Sequence, residues 1–162
     1  MAMNIHLWIR GTTQGEIQGD STVQSMSREN TIEAISFDHN VRVDTETSGM
    51  ATGERSHSPI RIVKRIDRSS PLLHQALCNN EELEVTIKFY RPNPSGDGTT
   101  EQFYTIQLQQ GRISSIKTIS PNTIDESTAS NPAMEEVCLV FGTIRWTYEP
   151  AGTEAEDQWR VA

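Results

Sequence analysis

One short helix is all that the spacing of apolar residues allows in this chain, and everything else reads as strand and turn. Ser70-Pro71 opens the helix: the Ser70 hydroxyl can cap free amides, and Pro71 suits the first helical position. Leu72, Leu73, Ala76 and Leu77 then fall within an arc of about 140°. Asn79-Asn80 tolerates a left-handed exit. A helix of about nine residues is marginal alone, so residues 71–79 must dock on a larger body. The expected fold class is mainly β: a two-sheet β-barrel or sandwich with one short flanking α-helix.

The strand signals are alternations. Ile5, Leu7 and Ile9 alternate with His6, Trp8 and Arg10, which predicts a half-buried strand closed by Gly11. Ile35, Phe37, His39, Val41 and Val43 share a second face, and Ile60, Ile62 and Ile66 a third. Leu83, Val85, Ile87 and Phe89 alternate cleanly up to the turn Pro92–Gly98. Two further runs change phase at a glycine, after Gly111 and after Gly142. A one-residue slip at glycine predicts a β-bulge, which bends a strand into a curled sheet. At 162 residues the chain is expected to form one domain, 1–162.

Between the second and third faces lies a polar stretch, about 44–58, read as a long extended loop. Its residues are Asp44, Thr45, Glu46, Thr47, Ser48, Gly49, Met50, Ala51, Thr52, Gly53, Glu54, Arg55, Ser56 and His57. Loops of this length inside a compact domain are usually functional. With only Met50 and Ala51 apolar, it needs a partner surface to become ordered.

The charge pattern and motif search narrow the function. With 22 acidic and 14 basic residues the net charge is −8, which repels a phosphate backbone, so no nucleic-acid partner is expected. No window is apolar enough for a membrane span. The start, Met1 to Arg10, lacks a secretory signal pattern, so cytoplasmic synthesis is expected. The acidic groups Glu81, Glu82 and Glu84, Glu135 and Glu136, and Glu154, Glu156 and Asp157 read as solvated surface. Cys78 and Cys138 read as free, buried thiols. His74 and Cys78 have ligand spacing on the helix but lack a third ligand. Asp38 and His39 are strand neighbours that point to opposite faces. No hydrolase, nucleotide or metalloprotease motif occurs. No catalytic residue, metal or cofactor is expected. What remains is a protein that works through its surfaces, with a ligand-carrying lipocalin-like barrel as the alternative.

Several segments together resemble a known family. Asp67-Arg68-Ser69-Ser70-Pro71-Leu72-Leu73 with Ala76-Leu77 is similar to the helix-start motif of the Hcp proteins, the hemolysin-coregulated tube subunits of type VI secretion systems. Ser48-Gly49 through His57 resembles their extended loop, and Lys64 with Asp67 their "K-x-x-D". Leu83–Arg91, Ile144–Tyr148, Gly15-Glu16-Ile17 and Asp157-Gln158-Trp159-Arg160 are similar to further segments. Asn79-Asn80 stands where many members have glycine. The resemblance implies a barrel whose homo-hexameric rings stack into a tube, with residues 44–57 as the ring-stacking loop. It also implies a sheath and a spike as partners and small effectors in the lumen. It implies assembly in the cytoplasm of a Gram-negative bacterium and secretion without a signal peptide.

Overall fold

The computed structural model describes residues 3–160, so Met1, where the reading of the chain's start begins, lies outside the described residues. In chain order come β1 (Asn4–Gly11), β2 (Gly15–Ile17), β3 (Ile32–Asp38), β4 (Val41–Thr45), β5 (Ala51–His57) and β6 (Ile60–Arg65). Helix α1 (Ser70–Cys78) follows, then β7 (Leu83–Pro92), β8 (Thr100–Ile119), β9 (Met134–Val140), β10 (Thr143–Tyr148) and β11 (Thr153–Gln158).

Pairing runs β8-β7-β1-β3-β6-β9 and returns to β8, so this sheet closes on itself. Strands β10 and β11 branch from the near half of β8, and β2 branches from β1. A second sheet holds only β4 and β5. Closure depends on β8, whose 20 residues serve two sets of partners. It bends where the phase slip at Gly111 predicts: Gln110 has φ +55°, and the register against β7 shifts between Leu83 and Val85. At Gly142 the outcome differs from the expected kinked strand. The chain breaks there into β9 and β10, because the Gly142 amide turns to the carbonyls of Gln109 and Gln110 at 3.0 and 3.2 Å.

The alternations point inward as expected. Leu7, Ile9, Val85, Ile87, Ile106, Leu108, Ile60, Ile62, Val137 and Leu139 are all buried in one core. Three phases are corrected. A bulge between Ala34 and Ser36 turns Ile35 out to 45% exposure, and Ile32 and Ala34 supply the core instead. Val41 and Val43 belong to the separate two-stranded sheet and are exposed. Ile66 lies past the end of β6, and Lys64 takes the inward position. Strand β1 is covered on both faces at His6, while Arg10 on the same outer face stays exposed. On its outer side His6 is fully buried, its Nδ1–H donating to the Thr31 hydroxyl at 2.8 Å. Arg28 closes that layer with its guanidinium 4.4 Å over the Tyr90 ring.

Helix α1 docks through Leu73, Ala76 and Leu77, while Leu72 stays at the surface. Its N-cap is Ser69, not Ser70. The Ser70 hydroxyl instead accepts the Asp67 amide at 3.0 Å. The exit is left-handed at Asn80, with φ +50°. Neither cysteine is fully buried: Cys78 is exposed and Cys138 half-buried, and both are free thiols.

Candidate functional site

The stretch read as a loop is a β-hairpin. Val41 pairs with His57, Arg42 with Ser56, Val43 with Arg55 and Thr45 with Ala51. Asp44 and Thr45 close β4, Glu46, Thr47, Ser48, Gly49 and Met50 form the turn, and Ala51, Thr52, Gly53, Glu54, Arg55, Ser56 and His57 make β5. The Glu46 amide donates to the Met50 carbonyl at 2.8 Å, and Gly49 takes φ +89°, a value that favours glycine. The segment therefore orders itself through its own ladder without an apolar core of its own. From Val41 to Glu54 it is exposed throughout, and Met50 at the turn is 67% exposed.

Two of its residues face the barrel and hold it. Arg55 grips Asp157 of β11 with both carboxylate oxygens, at 2.6 and 2.7 Å, and reaches the Gln158 carbonyl at 3.2 Å. His57 donates Nε2–H to the same carboxylate at 2.8 Å. Its other nitrogen lies 3.4 Å from His39 Nε2, and the two ring planes are nearly parallel, 4° apart. Phe141, Trp146 and Trp159 wall this chain of polar groups. The Arg55 and His57 hydrogen bonds hold the Asp157 carboxyl well below the usual carboxylate range. Burial, and then the neighbouring His57, push the His39 pKa below its ordinary value, with Asp38 opposing. Trp159 packs with its ring centroid 5.0 Å from that of Phe141 and so pins the C-terminal segment. Sequence reasoning missed Asp157, grouping it with solvated Glu154 and Glu156. Residues 153–158 carry no apolar alternation to announce a strand.

The helix-start motif lies apart from the hairpin and does internal work. Lys64, 1% exposed, places its ammonium 2.5 Å from Glu135 and 3.0 Å from Asp67. The Ser70 hydroxyl donates to Glu135 at 2.7 Å, and the Ser69 amide donates to Asp67 at 2.9 Å. Pro71 starts the helix, and Leu73 enters the core below the network. Asp67, Ser69 and Ser70 thus tie α1 to β6 and β9. Glu135, at 1% exposed, and Glu81, at 6%, correct the reading of those acidic groups as solvated. Lys64 was findable: it is in phase with Ile60 and Ile62, as Glu135 is with Val137 and Leu139.

Comparison with known proteins places this architecture. The family described as "Type VI secretion system effector, Hcp" matches residues 6–148. The "Major exported protein" of Pseudomonas aeruginosa is 36% identical, over 99% of this chain and 97% of its own. A crystal structure of an Hcp protein superposes with a TM-score of 0.86 at 31% identity, over 99% of this chain and 100% of that one. The secreted protein Hcp3 of Pseudomonas aeruginosa does so with a TM-score of 0.78 at 29% identity, over 99% and 100%. The chain belongs to the Hcp family, whose members are tube subunits of type VI secretion systems.

Proposed function

We propose that six copies of this protein close into a ring, that rings stack into a hollow tube, and that residues 44–57 are the arm that docks each ring on the next. The observation that carries this is the hairpin itself: a small sheet outside the closed one, polar, exposed, and anchored only at its base. An isolated two-stranded hairpin is marginally stable in water, so a partner surface at its tip adds to its order. Strand β11, an edge, suits lateral contact, since closing a ring covers edges that would otherwise aggregate.

The protein works as a structural part and not as a catalyst. The barrel interior is filled by the side chains of the core, and nothing supports the lipocalin-like carrier. The tube engages a sheath outside and a spike at its tip, and carries small effectors in its lumen. It is assembled in the cytoplasm and then exported; export is what the name of its Pseudomonas relative, the "Major exported protein", states for that protein.

Deleting Gly49–Glu54 tests the arm. Ring mass by light scattering and the melting curve should stay as in wild type, while tubes vanish from micrographs. Normal tubes from the deletion protein would falsify the docking role. A strict monomer at micromolar concentration for the intact chain would refute the ring.

A further inference from the structure

The stretch 120–133 joins β8 to β9 and carries Ile124, which at 90% is the most exposed large apolar side chain among the described residues. The stretch is not slack around it. The Ile124 amide donates to the Asn122 side-chain oxygen at 2.9 Å, the Ser127 amide to the Asp125 carboxylate at 2.9 Å, and the Thr128 hydroxyl to the Asn122 carbonyl at 2.8 Å. These bonds present Ile124 as a knob with the carboxylates of Asp125 and Glu126 beside it, and the stretch holds no basic residue. An ordered isoleucine left in water contributes no burial to the single subunit.

At the other end of β9 lies a groove of about 470 Å³. Val140, Phe141 and Trp159 give it an apolar wall, Arg112 and Arg160 are its charged lining, and no carboxylate lines it. Arg112 is fixed by its bond to the Asn80 carbonyl at 2.5 Å, and Arg160 is exposed. On a chain of net charge −8 this is a local excess of positive charge. We propose that the groove receives the Ile124 knob of a second copy, with the isoleucine on the apolar wall and Asp125 and Glu126 against the two arginines. At 90% exposure Ile124 does not enter its own groove, and the seven residues of β9 set the ends of that strand about 20 Å apart. The hairpin is the poorer match in charge, because Arg42 and Arg55 stand among its acids. Knob and groove are different surfaces, so each copy offers both halves of a heterologous contact, and a closed ring uses them all. Gln158 and Trp159, at the end of β11, line the groove, which makes it continuous with the edge assigned to lateral contact. The inference rests on the ring reading and names one anchor of that interface, where a few buried side chains carry most of the affinity.

Light scattering of the full chain over a dilution series tests the contact. Ile124→Ser should keep the melting curve of the dissociated subunit, because that side chain is already in water, and should raise the concentration at which rings fall apart at least about tenfold. Glu126→Arg and Arg160→Glu should each weaken the ring as well, and the two together should regain much of the lost affinity. Glu126→Arg brings the net charge closer to zero, so bulk repulsion alone predicts a firmer ring, and only a specific contact predicts a weaker one. Rings of Ile124→Ser as stable as those of wild type overturn the inference. So does a double reversal no better than the weaker single variant, or a firmer ring in Glu126→Arg. Loss of tubes with rings intact also overturns it, since the contact would then run between rings. A wild-type chain that stays monomeric at micromolar concentration ends the ring reading and this contact together. Wild-type rings that are indifferent to Ile124→Ser end this contact alone.

Discussion

At the scale of single residues, the informative groups are polar ones in apolar places. Lys64 sits among Ile60, Ile62, Val137 and Leu139, where its ammonium is matched by two carboxylates and the Ser70 hydroxyl. Removing one partner of such a pair leaves the other charge buried, at a cost of about 3–5 kcal/mol. Lys64→Ala should therefore lower the urea midpoint sharply. The joint replacement Lys64→Met with Glu135→Leu should recover much of the loss, because the fully buried carboxylate leaves with the ammonium and the less buried Asp67 keeps its Ser69 hydrogen bond. His6 makes a pH prediction. Burial, with the nearby Arg28, lowers its pKa from 6.5 to about 4. Between those values the unfolded chain holds a proton that the folded chain lacks, so stability is present above the unfolded value and drains away as pH falls. The expected loss is roughly 2–3 kcal/mol. Denaturation from pH 8 to pH 4 should show this slope in wild type and a shallower one in His6→Gln.

At the scale of elements, what matters is where the chain is forced to turn. The connection between β2 and β3 is polar, yet it folds down tightly: the Gly19 amide donates to the Asn30 carbonyl at 2.9 Å. A Cβ at Gly19 would meet the Thr31 carbonyl at 2.5 Å and the Ile32 Cα at 2.8 Å. Backbone cannot step aside as a side-chain tip can, so Gly19→Ala should destabilise by about 1–3 kcal/mol. The melting temperature should drop accordingly, and a melt like that of wild type would show that the connection is loose. Elements also show where sequence reading succeeded. Leu83–Phe89 reads the same way in both, since one face is core and period two is unambiguous. The loop reading of the hairpin fails because from Val41 to Glu54 both its faces meet solvent. Alternation then carries no signal, and only the backbone ladder makes it a strand pair.

At the scale of the whole molecule, the acidic excess and the open edges act together. A net charge of −8 on each subunit opposes bringing copies together in a tube, and salt screens that repulsion. Tube yield should rise with ionic strength, measured by sedimentation. A fall would mean that stacking runs on complementary charges, with the hairpin carboxylates Asp44, Glu46 and Glu54 as the first to examine.

Local chemistry was enough to determine the β class, the α-helix with its left-handed exit and the bend at Gly111. Each follows from a period, a proline or asparagine, or a glycine that acts within a few residues. Closure of the sheet, the buried Lys64–Glu135 pair and the grip of Asp157 on Arg55 and His57 were decided by tertiary structure alone. They join residues 71 and about 100 positions apart. A chain records which face of a strand is apolar, but not which distant charge will arrive to meet a polar group there.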